Sequence, residues 1–379
     1  MNKTESKQPS TDLRNLNFVI GGGGTGGHVY PALALADALT LRGAEHDRIH
    51  FIGARRGIEA SLLPETSFAF TLLWLRGFDR RHNLVALWNN LLALTSLMLG
   101  IIQVAWMFLT KRPNAVVGVG GYASAPCVLA ARMLRIPVVI HEQNALPGLV
   151  NRVAVRLGAR AAISLPNTPL KGAVLTGNPV RRTISDVVRS PHGTKPLLGI
   201  VGGSLGAGRL NDATLDLVSR WRMRTDVRIR HVSGPRFLNG CESRFQALRL
   251  PNDVLDYKIV GYEKQIETLY SGVSLLVCRS GALTVAEICA AGVPSILIPW
   301  PGAAGDHQRD NAEALVKAGG AVLLLDSDCD AAKLESLLSP LLADGERLAA
   351  MSAAARSLAL PDAARDLAIL VEDVANASA

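Results

Sequence analysis

Twice along the chain, a short apolar run leads directly into a glycine-rich turn and then into a helical pattern. The first run, residues 16–20, continues into a turn at 21–27, and the second, residues 197–201, continues into a turn at 202–208. A strand, glycine turn and helix in this order open the α/β folds whose turns bring the main chain close to a ligand. We therefore predict two α/β halves. The two turns differ too much in sequence to count as a repeat.

Further short apolar runs follow both turns, with helical stretches between them. This alternation is typical of a parallel sheet with helices on both faces. We predict the other strands of the first half at residues 49–52, 68–74, 115–119, 138–141, 161–164 and 174–176, and those of the second half at 227–232, 257–260, 275–277, 295–298 and 321–324. The first helix is expected from Pro31 to about Leu41, with the proline in its first turn.

Composition excludes several classes of protein. The chain has 379 residues, of which 49% are hydrophobic and 19% charged, so it is not a disordered chain. Its net charge of +8 favours an anionic partner, which is a phosphate ligand, a membrane or a nucleic acid. Nucleic acid is disfavoured because the basic residues are scattered and lack interleaved aromatic residues. The cysteines form no CxxC pair and are expected to be buried, reduced thiols.

Shifts in composition predict the domain boundaries. Residues 1–15 are polar, lack the apolar stretch of a signal peptide, and are predicted to be a flexible tail. A polar stretch with proline and glycine follows residue 180 and is typical of a linker. We therefore predict an N-terminal domain at 16–180 and a C-terminal domain at 181–361.

The segment 84–109 has no charged residue and is long enough, at about 39 Å as a helix, to cross a bilayer. Trp88 and Trp106 near its ends resemble interfacial anchors. A single crossing would, however, place the strands at 16–20 and 115–119 in different compartments. We therefore favour a crossover helix that is buried or lies on a membrane surface, with contact to lipid.

Small and polar residues of this segment share one helical face, which is expected to pack on the protein, and bulky residues share the opposite face. The small and polar residues are Asn89, Ala93, Ser96, Gly100 and Gln103. The bulky residues are Leu87, Leu91, Leu94, Met98 and Leu109.

The first glycine turn matches GxGxxG, but it lacks the acidic residue that holds a ribose in dinucleotide sites, because Arg55 and Arg56 follow the second strand. It is not a P-loop either, since His28 stands where lysine is required. We expect a nest of backbone amides that suits an anion or a sugar. His28, at the carboxyl end of the strand, is a candidate catalytic residue; the alternative is a structural histidine.

Two more motifs are expected at the same sheet edge. A glycine turn at 118–122 should lie beside the first turn. Four polar residues, His141-Glu142-Gln143-Asn144, follow an apolar strand, and Glu142 is a second catalytic candidate. The alternative for these four residues is a capping cluster.

In the second half, Gly203-Ser204 is expected to begin a helix whose N-terminus suits a diphosphate, with Arg181 adding positive charge. Amides at 282–284 begin a further helix, and Glu287 one turn inside it is expected to accept from ribose hydroxyls or to form a capping pair. Gln308 suits sugar hydroxyls. Aspartates at 326, 328 and 330 are expected to cap a helix, so we predict neither a metal nor a cofactor.

Taken in order, these motifs resemble the MurG family of bacterial N-acetylglucosaminyltransferases, which form lipid II in peptidoglycan synthesis. The resemblance covers the chain from about Leu16 onward. The motifs are Gly23-Gly24-Thr25-Gly26-Gly27-His28, Gly120-Gly121-Tyr122, His141-Glu142-Gln143-Asn144, Gly177-Asn178-Pro179-Val180-Arg181, Gly202-Gly203-Ser204, Arg279-Ser280-Gly281-Ala282-Leu283-Thr284 and Gln308 with Asn311-Ala312.

The resemblance implies an α/β fold of the GT-B type, with two Rossmann-like domains whose parallel sheets face each other across a cleft. It implies a helix at 362–379 that packs back on the N-terminal domain. The donor UDP-N-acetylglucosamine would bind mainly the C-terminal domain. The acceptor lipid I, undecaprenyl-diphospho-N-acetylmuramoyl-pentapeptide, would meet the N-terminal domain at the cytoplasmic face of the inner membrane. Partners in cell-wall synthesis are implied as well.

The resemblance also implies site residues. The substrate-binding set is Thr25, Gly26, Gly27, Asn144, Arg181, Ser204, Glu263, Ala282, Leu283, Thr284, Val285, Ala286, Glu287 and Gln308. At Glu263 the implied contact is from backbone groups near Tyr262 and Glu263 to the uracil. Leu205 stands where the family usually has glutamine, so the resemblance implies no donor contact from this side chain.

The expected reaction is an inverting transfer. His28 is the first candidate for the base, and Glu142 is a second candidate or a group that orients. The alternatives are another GT-B lipid glycosyltransferase such as a diacylglycerol glucosyltransferase, an NAD-dependent oxidoreductase, and a basic membrane-surface module.

Overall fold

The computed structural model describes residues 13–79, 81, 83–190 and 195–377. The chain forms two compact units. The N-terminal unit runs to Pro179 and also contains the segment from Asp362, whereas the C-terminal unit is Val180–Pro361. Each unit has one parallel β-sheet between helices, which confirms the predicted α/β fold with two Rossmann-like domains.

The sheet of the N-terminal unit has the order β3-β2-β1-β4-β5-β6-β7, and all neighbouring strands are parallel. The strands are β1 Phe18–Gly21, β2 Ile49–Ala54, β3 Ala69–Leu73, β4 Ala115–Gly118, β5 Val138–Glu142, β6 Arg160–Ile163 and β7 Val174–Leu175. The helices are α1 Gly26–Leu41, α2 Glu59–Leu62, α3 Leu84–Thr110, α4 Ala125–Met133 and α5 Leu149–Arg156. The central strands are buried on both faces, as their continuous apolar sequences predict.

The sheet of the C-terminal unit has the order β10-β9-β8-β11-β12-β13, again with parallel neighbours. The strands are β8 Leu197–Val201, β9 Arg228–Val232, β10 Asp256–Val260, β11 Leu275–Cys278, β12 Ser295–Leu297 and β13 Ala321–Leu323. The helices are α6 Arg182–Ser185, α7 Gly208–Arg220, α8 Leu238–Leu248, α9 Ile266–Gly272, α10 Ala282–Ala291, α11 His307–Lys317, α12 Ala331–Ala343 and α13 Gly345–Ser357.

Each sheet contains a point at which the strand order reverses. In the N-terminal unit this point lies between β1 and β4, and in the C-terminal unit it lies between β8 and β11. Open α/β sheets bind ligands at the carboxyl ends of the strands on either side of such a point. The turns after these four strands are therefore the places where each unit is expected to hold its ligand.

The last helix, α14 Ala363–Asn376, belongs to the N-terminal unit. Leu367, Leu370 and Val371 pack into the core that contains Phe18 of β1. Glu372 accepts a hydrogen bond of 2.8 Å from the guanidinium of Arg42 at the end of α1, which adds an ion pair to the apolar contact.

Two boundaries differ from the sequence prediction. The predicted tail extended to residue 15, but Leu13–Asn15 forms a 3-10 turn and Leu13 is buried in the core of the N-terminal unit. The rest of that tail lies outside the described residues. Helix α1 begins at Gly26 instead of Pro31, because Gly26 and Gly27 at the end of the turn are already part of the helix.

Helix α3 packs along α4, and it is the helix of the described chain that is long and apolar enough to cross a bilayer by length and composition. Its buried residues are Ala86, Ala93, Gly100, Ile101, Val104 and Phe108. The predicted packing of Ala93 and Gly100 is thus confirmed. Gln103 is exposed instead, because bulky residues make the buried contact toward the C-terminal end of the helix.

The strands before and after α3 argue against a crossing of the membrane. Because β1 and β4 are paired along their length in one sheet, α3 is a crossover connection within one unit. Its outward face is strongly apolar: Leu84 is 85% exposed and Trp106 is 68% exposed. The bulky face predicted to seek a core or lipid therefore lies at the surface of the N-terminal unit.

Candidate active site

The first glycine turn leads from β1 into α1. Gly24 has a φ of +92°, which only glycine adopts without strain. Gly26, Gly27 and His28 form the first turn of α1, and Thr25 immediately precedes it. The Oγ1 atom of Thr25 lies 3.0 Å from Nδ1 of His28. The fold thus brings these four predicted site residues together at the end of β1.

The turn after β4 lies against the first turn. A Cβ on Gly121 would overlap the carbonyl oxygen of Gly23, and a Cβ on Gly120 would lie 2.8 Å from Cδ2 of His28. The predicted adjacency of the two turns is therefore confirmed. The absence of side chains at these positions allows the imidazole of His28 to lie close to the main chain of Gly120.

A buried carboxylate beneath the first turn was missed by the sequence analysis. Glu59, the first residue of α2, is 1% exposed. Its Oε2 accepts a hydrogen bond from the amide of Gly24 and its Oε1 accepts one from the amide of Ala54, both at 2.8 Å. The hypothesis of an open nest for an anion at this turn is therefore wrong for the Gly24 amide. The nearby pair Gly53 and Gly57 is the one sequence signal for such a close approach.

The carboxylate of Glu142 organises the loop that follows β5. Glu142 is 3% exposed, and its Oε1 accepts from the backbone and side-chain amides of Asn144 at 3.0 and 3.3 Å. Its Oε2 accepts from the backbone amide of Gly148 at 2.9 Å and from Nδ2 of Asn151 at 2.8 Å. Four protein donors fill the acceptor sites of this carboxylate. These contacts favour the role of an orienting group for Glu142 over that of the base.

His141 and Gln143 form a buried network next to this loop. Nδ1 of His141 lies 3.1 Å from Nε2 of Gln143, and that amide also donates to the carbonyl of Val119 at 2.6 Å. Because the amide is a donor, Nδ1 accepts and Nε2 carries the proton, at 3.0 Å from the carbonyl of Gly177. Burial lowers the pKa of His141 to about 4, so this imidazole is neutral near pH 7.

The second glycine turn, in the C-terminal unit, differs from its prediction. Helix α7 begins at Gly208, four residues after Ser204, so Ser204 does not begin a helix. The chain first makes a tight turn in which the amide of Gly206 donates to the carbonyl of Gly203 at 3.0 Å. Ser204 and Leu205 lie exposed at the tip of this turn. The predicted Ser204 contact is thus available from a loop and not from a helix N-terminus.

Helix α10 begins where the sequence predicted a helix. Gly281 precedes its first residue, and the helix follows β11 at the point where the strand order reverses. Its free N-terminal amides and the helix dipole favour an anion at this place. The predicted residues at its beginning are Ala282, Leu283, Thr284, Val285 and Ala286.

Glu287 and Arg181 are brought together in the same unit. Glu287 is 6% exposed; the hydroxyl of Tyr270 donates to its Oε2 at 3.0 Å, and a guanidinium nitrogen of Arg181 lies 3.8 Å from its Oε1. Burial raises the pKa of Glu287 to about 7, against the opposing effects of Arg181 and of the Tyr270 hydrogen bond. The capping-pair interpretation is wrong, because this carboxylate accepts from Tyr270 and no side chain caps α10.

Gln308 is tied to the loop in front of α10. Its side-chain Oε1 accepts from the backbone amide of Trp300 at 2.9 Å, and its backbone carbonyl accepts from the hydroxyl of Ser280 at 2.7 Å. The beginning of α11 and the beginning of α10 therefore lie next to each other.

Glu263 stands apart from this group, after the edge strand β10. Its carboxylate accepts from Arg230 at 2.8 and 3.0 Å and lines a cavity of about 300 Å³ together with Lys258 and Gln265. In the sheet order, β10 is three strands from β11. The structure therefore does not group the Glu263 side chain with Glu287 and Gln308.

Within the described ranges, no group of three His, Cys, Asp or Glu side chains is placed to hold a metal ion. Asp330 caps α12, since its side chain accepts from the amide of Lys333 at 2.8 Å, and Asp326 lies 2.6 Å from Arg279. The predicted cap is confirmed for Asp330, whereas Asp326 forms an ion pair instead. The cysteines are buried and free of disulfides, as predicted.

Comparison with known proteins matches both units of the chain. The N-terminal domain model of glycosyltransferase family 28 matches residues 18–163, and the C-terminal domain model of that family matches residues 197–367. The crystal structure of MurG from Acinetobacter baumannii superposes with a TM-score of 0.71 at 30% identity, over 94% of this chain and 99% of that one. The chain belongs to the MurG family of glycosyltransferases.

Two curated MurG-family relatives are similar over almost their whole length. One, from Halothermothrix orenii, is 36% identical over 379 residues, which are 96% of this chain and 100% of the relative. Another, from Alkalilimnicola ehrlichii, is 39% identical over 356 residues, which are 92% of this chain and 96% of the relative. Both are named UDP-N-acetylglucosamine--N-acetylmuramyl-(pentapeptide) pyrophosphoryl-undecaprenol N-acetylglucosamine transferase. The resemblance found in the sequence is thereby confirmed.

Proposed function

We propose that this MurG-family chain transfers N-acetylglucosamine from UDP-N-acetylglucosamine to the C4 hydroxyl of the muramoyl sugar of lipid I, which gives lipid II. The observation that carries the proposal is the near-complete match to transferases that bear this name, at 36% and 39% identity. It is supported by the position of the motifs, which lie in the turns where each sheet reverses its strand order.

The donor is assigned to the C-terminal unit. The N-terminus of α10 supplies amides and a positive dipole end for the diphosphate, and Arg181 supplies a full positive charge nearby. Glu287 is proposed to accept from ribose hydroxyls, and Gln308 to bind the sugar. The exposed Ser204 adds a hydroxyl from the second glycine turn.

The acceptor is assigned to the N-terminal unit, where His28 is the proposed base. Its imidazole takes the proton of the C4 hydroxyl while the hydroxyl oxygen forms a bond to the anomeric carbon. The bond from that carbon to the diphosphate oxygen breaks on the opposite face, and UDP leaves with the electron pair. Thr25 holds Nδ1 of His28, while Glu142 keeps the loop that carries Asn144 in place.

The N-terminal unit is proposed to bind the cytoplasmic face of the inner membrane as a peripheral protein. The support is the apolar outer face of α3, which includes the exposed side chains of Trp88 and Trp106. Arg81 before the helix and Lys111 after it are exposed and suit anionic headgroups. This position matches a lipid-linked acceptor that cannot leave the membrane.

A transfer assay with labelled UDP-N-acetylglucosamine and a lipid I analogue tests the proposal. UDP-glucose and UDP-galactose serve as donor controls, and diacylglycerol serves as the control acceptor. We expect product only from UDP-N-acetylglucosamine and the lipid I analogue. Equal transfer from UDP-glucose, or transfer to diacylglycerol, would assign the chain to another lipid glycosyltransferase.

A further inference from the structure

The position of Glu59 shows a pocket built for one carboxylate. A Cβ on Gly23 or on Gly57 would overlap this carboxylate, and a Cβ on Gly53 would lie 2.6 Å from Cγ of Glu59. These glycines come from the turn after β1, from β2 itself and from the loop after β2. Three separate segments therefore lack a side chain where the carboxylate enters.

The two carboxylate oxygens serve different segments of the chain. One accepts from the amide of Gly24 in the first glycine turn, and the other accepts from the amide of Ala54 at the end of β2. Gly24 needs this support because its φ of +92° is adopted only by a flexible residue. The Glu59 carboxylate thus links Gly24, whose backbone is flexible, to the rigid end of β2.

The hydrogen bond from the Gly24 amide to Glu59 changes which groups the turn can bind. In phosphate-binding turns, the amides point at the anion of the ligand. Here the amide of Gly24 donates to Glu59 and is not available to an anion of the ligand. The side chain of Thr25, next to Gly24, is exposed and remains accessible to a ligand.

The same turn sets the place of the proposed base. Gly24 is bonded directly to Thr25, whose Oγ1 lies 3.0 Å from Nδ1 of His28. A displacement of Gly24 would move the Thr25 hydroxyl away from the imidazole. Misplacement of a reacting group by about 1 Å costs on the order of a hundredfold in rate.

We propose that Glu59 is a positioning residue of the transfer reaction, which holds Gly24 so that Thr25 and His28 keep their arrangement. The proposal rests on the proposed function, in which His28 is the base. The anchoring of Gly24 by Glu59 can also be measured without turnover.

The test uses the full chain with E59Q and E59D, and E65Q as the matched control. Glutamine keeps the shape but offers one acceptor for two amides, and aspartate is one methylene too short to reach both. Glu65 is an exposed carboxylate of the same segment, so its loss should change nothing. For each variant, kcat, both KM values, UDP binding by calorimetry and hydrogen exchange of the peptide that contains Gly24 are measured.

We expect kcat to fall roughly 10- to 100-fold in E59Q and E59D, with UDP affinity within about twofold of the parent chain. Exchange at the Gly24 peptide should rise about tenfold or more, whereas E65Q behaves as the parent. In the H28A background, E59Q should cause little further loss of kcat, because Glu59 acts through His28. A purely structural role would instead raise hydrogen exchange across the N-terminal unit and not only at the Gly24 peptide.

The proposal is overturned if E59Q keeps kcat within about twofold, or if its loss of kcat is the same with and without H28A. If the parent chain does not transfer to the lipid I analogue, the proposed function fails. In that case hydrogen exchange alone tests whether Glu59 anchors Gly24. Unchanged exchange at Gly24 in E59Q overturns the anchoring role. A rise confined to the peptide that contains Gly24 supports it.

Discussion

The hydroxyl of Tyr270 donates a hydrogen bond of 3.0 Å to the carboxylate of Glu287, which lies buried one turn inside α10. Arg181 approaches the other oxygen of that carboxylate. Burial outweighs both partners and holds the pKa of Glu287 near 7. The C-terminal unit therefore contains a carboxyl group that changes its charge close to physiological pH, at the place assigned to the donor.

The raised pKa of Glu287, at about 7, predicts a pH dependence of stability. The folded chain binds this proton more tightly than the unfolded chain, so the contribution of Glu287 is present at low pH and lost as pH rises through 7. Relative to E287Q, the parent chain should lose roughly 3 kcal/mol of unfolding free energy between pH 4 and pH 8. Urea denaturation across this range measures it.

The exposed Glu346 on α13 supplies the control for that measurement. The difference between the parent chain and E346Q should not vary over the same pH range. A difference between the parent and E287Q that is equally flat would contradict the raised pKa of Glu287.

Thr25 is predicted to orient His28. T25V removes the hydroxyl that lies 3.0 Å from Nδ1, while no side-chain cap of α1 is lost, because Thr25 makes none. We expect kcat to fall roughly tenfold, because the loss of one hydrogen bond costs about 1.4 kcal/mol. The affinity for UDP should not change. T25S keeps the hydroxyl and should retain most of the activity. Equal activity of T25V and T25S would count against this role.

Glu142 is predicted to stabilise its loop and not to act as the base. E142Q leaves amide donors of the loop without an acceptor, so unfolding should become easier by about 2 kcal/mol. N151A removes one of the groups that donate to Glu142, the side-chain amide of Asn151. It should also make unfolding easier, but by less than E142Q does. The fall in rate at low pH, which reports protonation of the base, should remain in both variants as in the parent chain. Its disappearance in E142Q alone would restore Glu142 as the base.

The outer face of α3 is predicted to bind membranes. A variant with W88E and W106E places two charges on this exposed face and should reduce binding to anionic lipid vesicles by more than about tenfold. L41E is the matched control, since Leu41 is an exposed apolar residue on α1. Co-sedimentation with vesicles measures the effect. If the α3 variant binds vesicles as tightly as L41E, the face does not carry the membrane contact.

Much of the fold could be predicted from local sequence. Most strands were found because they are short apolar runs that end at a glycine or a polar residue, as at Val201 before Gly202. The beginning of α1 and the expected helix start at Gly203-Ser204 were misplaced, because glycine accepts both helical and turn geometry. Only the packing of the turns shows that Gly26 is helical and that Ser204 is not.

The site was predictable to the extent that its residues are close in sequence. Thr25 and His28 are three residues apart in one turn, and their pairing follows from the beginning of α1. Glu59 is 35 residues from Gly24, and no local pattern links them. Glu142 looked available because the sequence does not show which loop amides turn back onto it.

The proposed transfer depends most on the imidazole of His28 taking the proton of the acceptor hydroxyl. The direct measurement is turnover of H28A with UDP-N-acetylglucosamine and a lipid I analogue, together with UDP binding by calorimetry. Loss of a general base predicts a fall in kcat of about a hundredfold or more, with UDP binding retained. Turnover close to that of the parent chain would contradict the account.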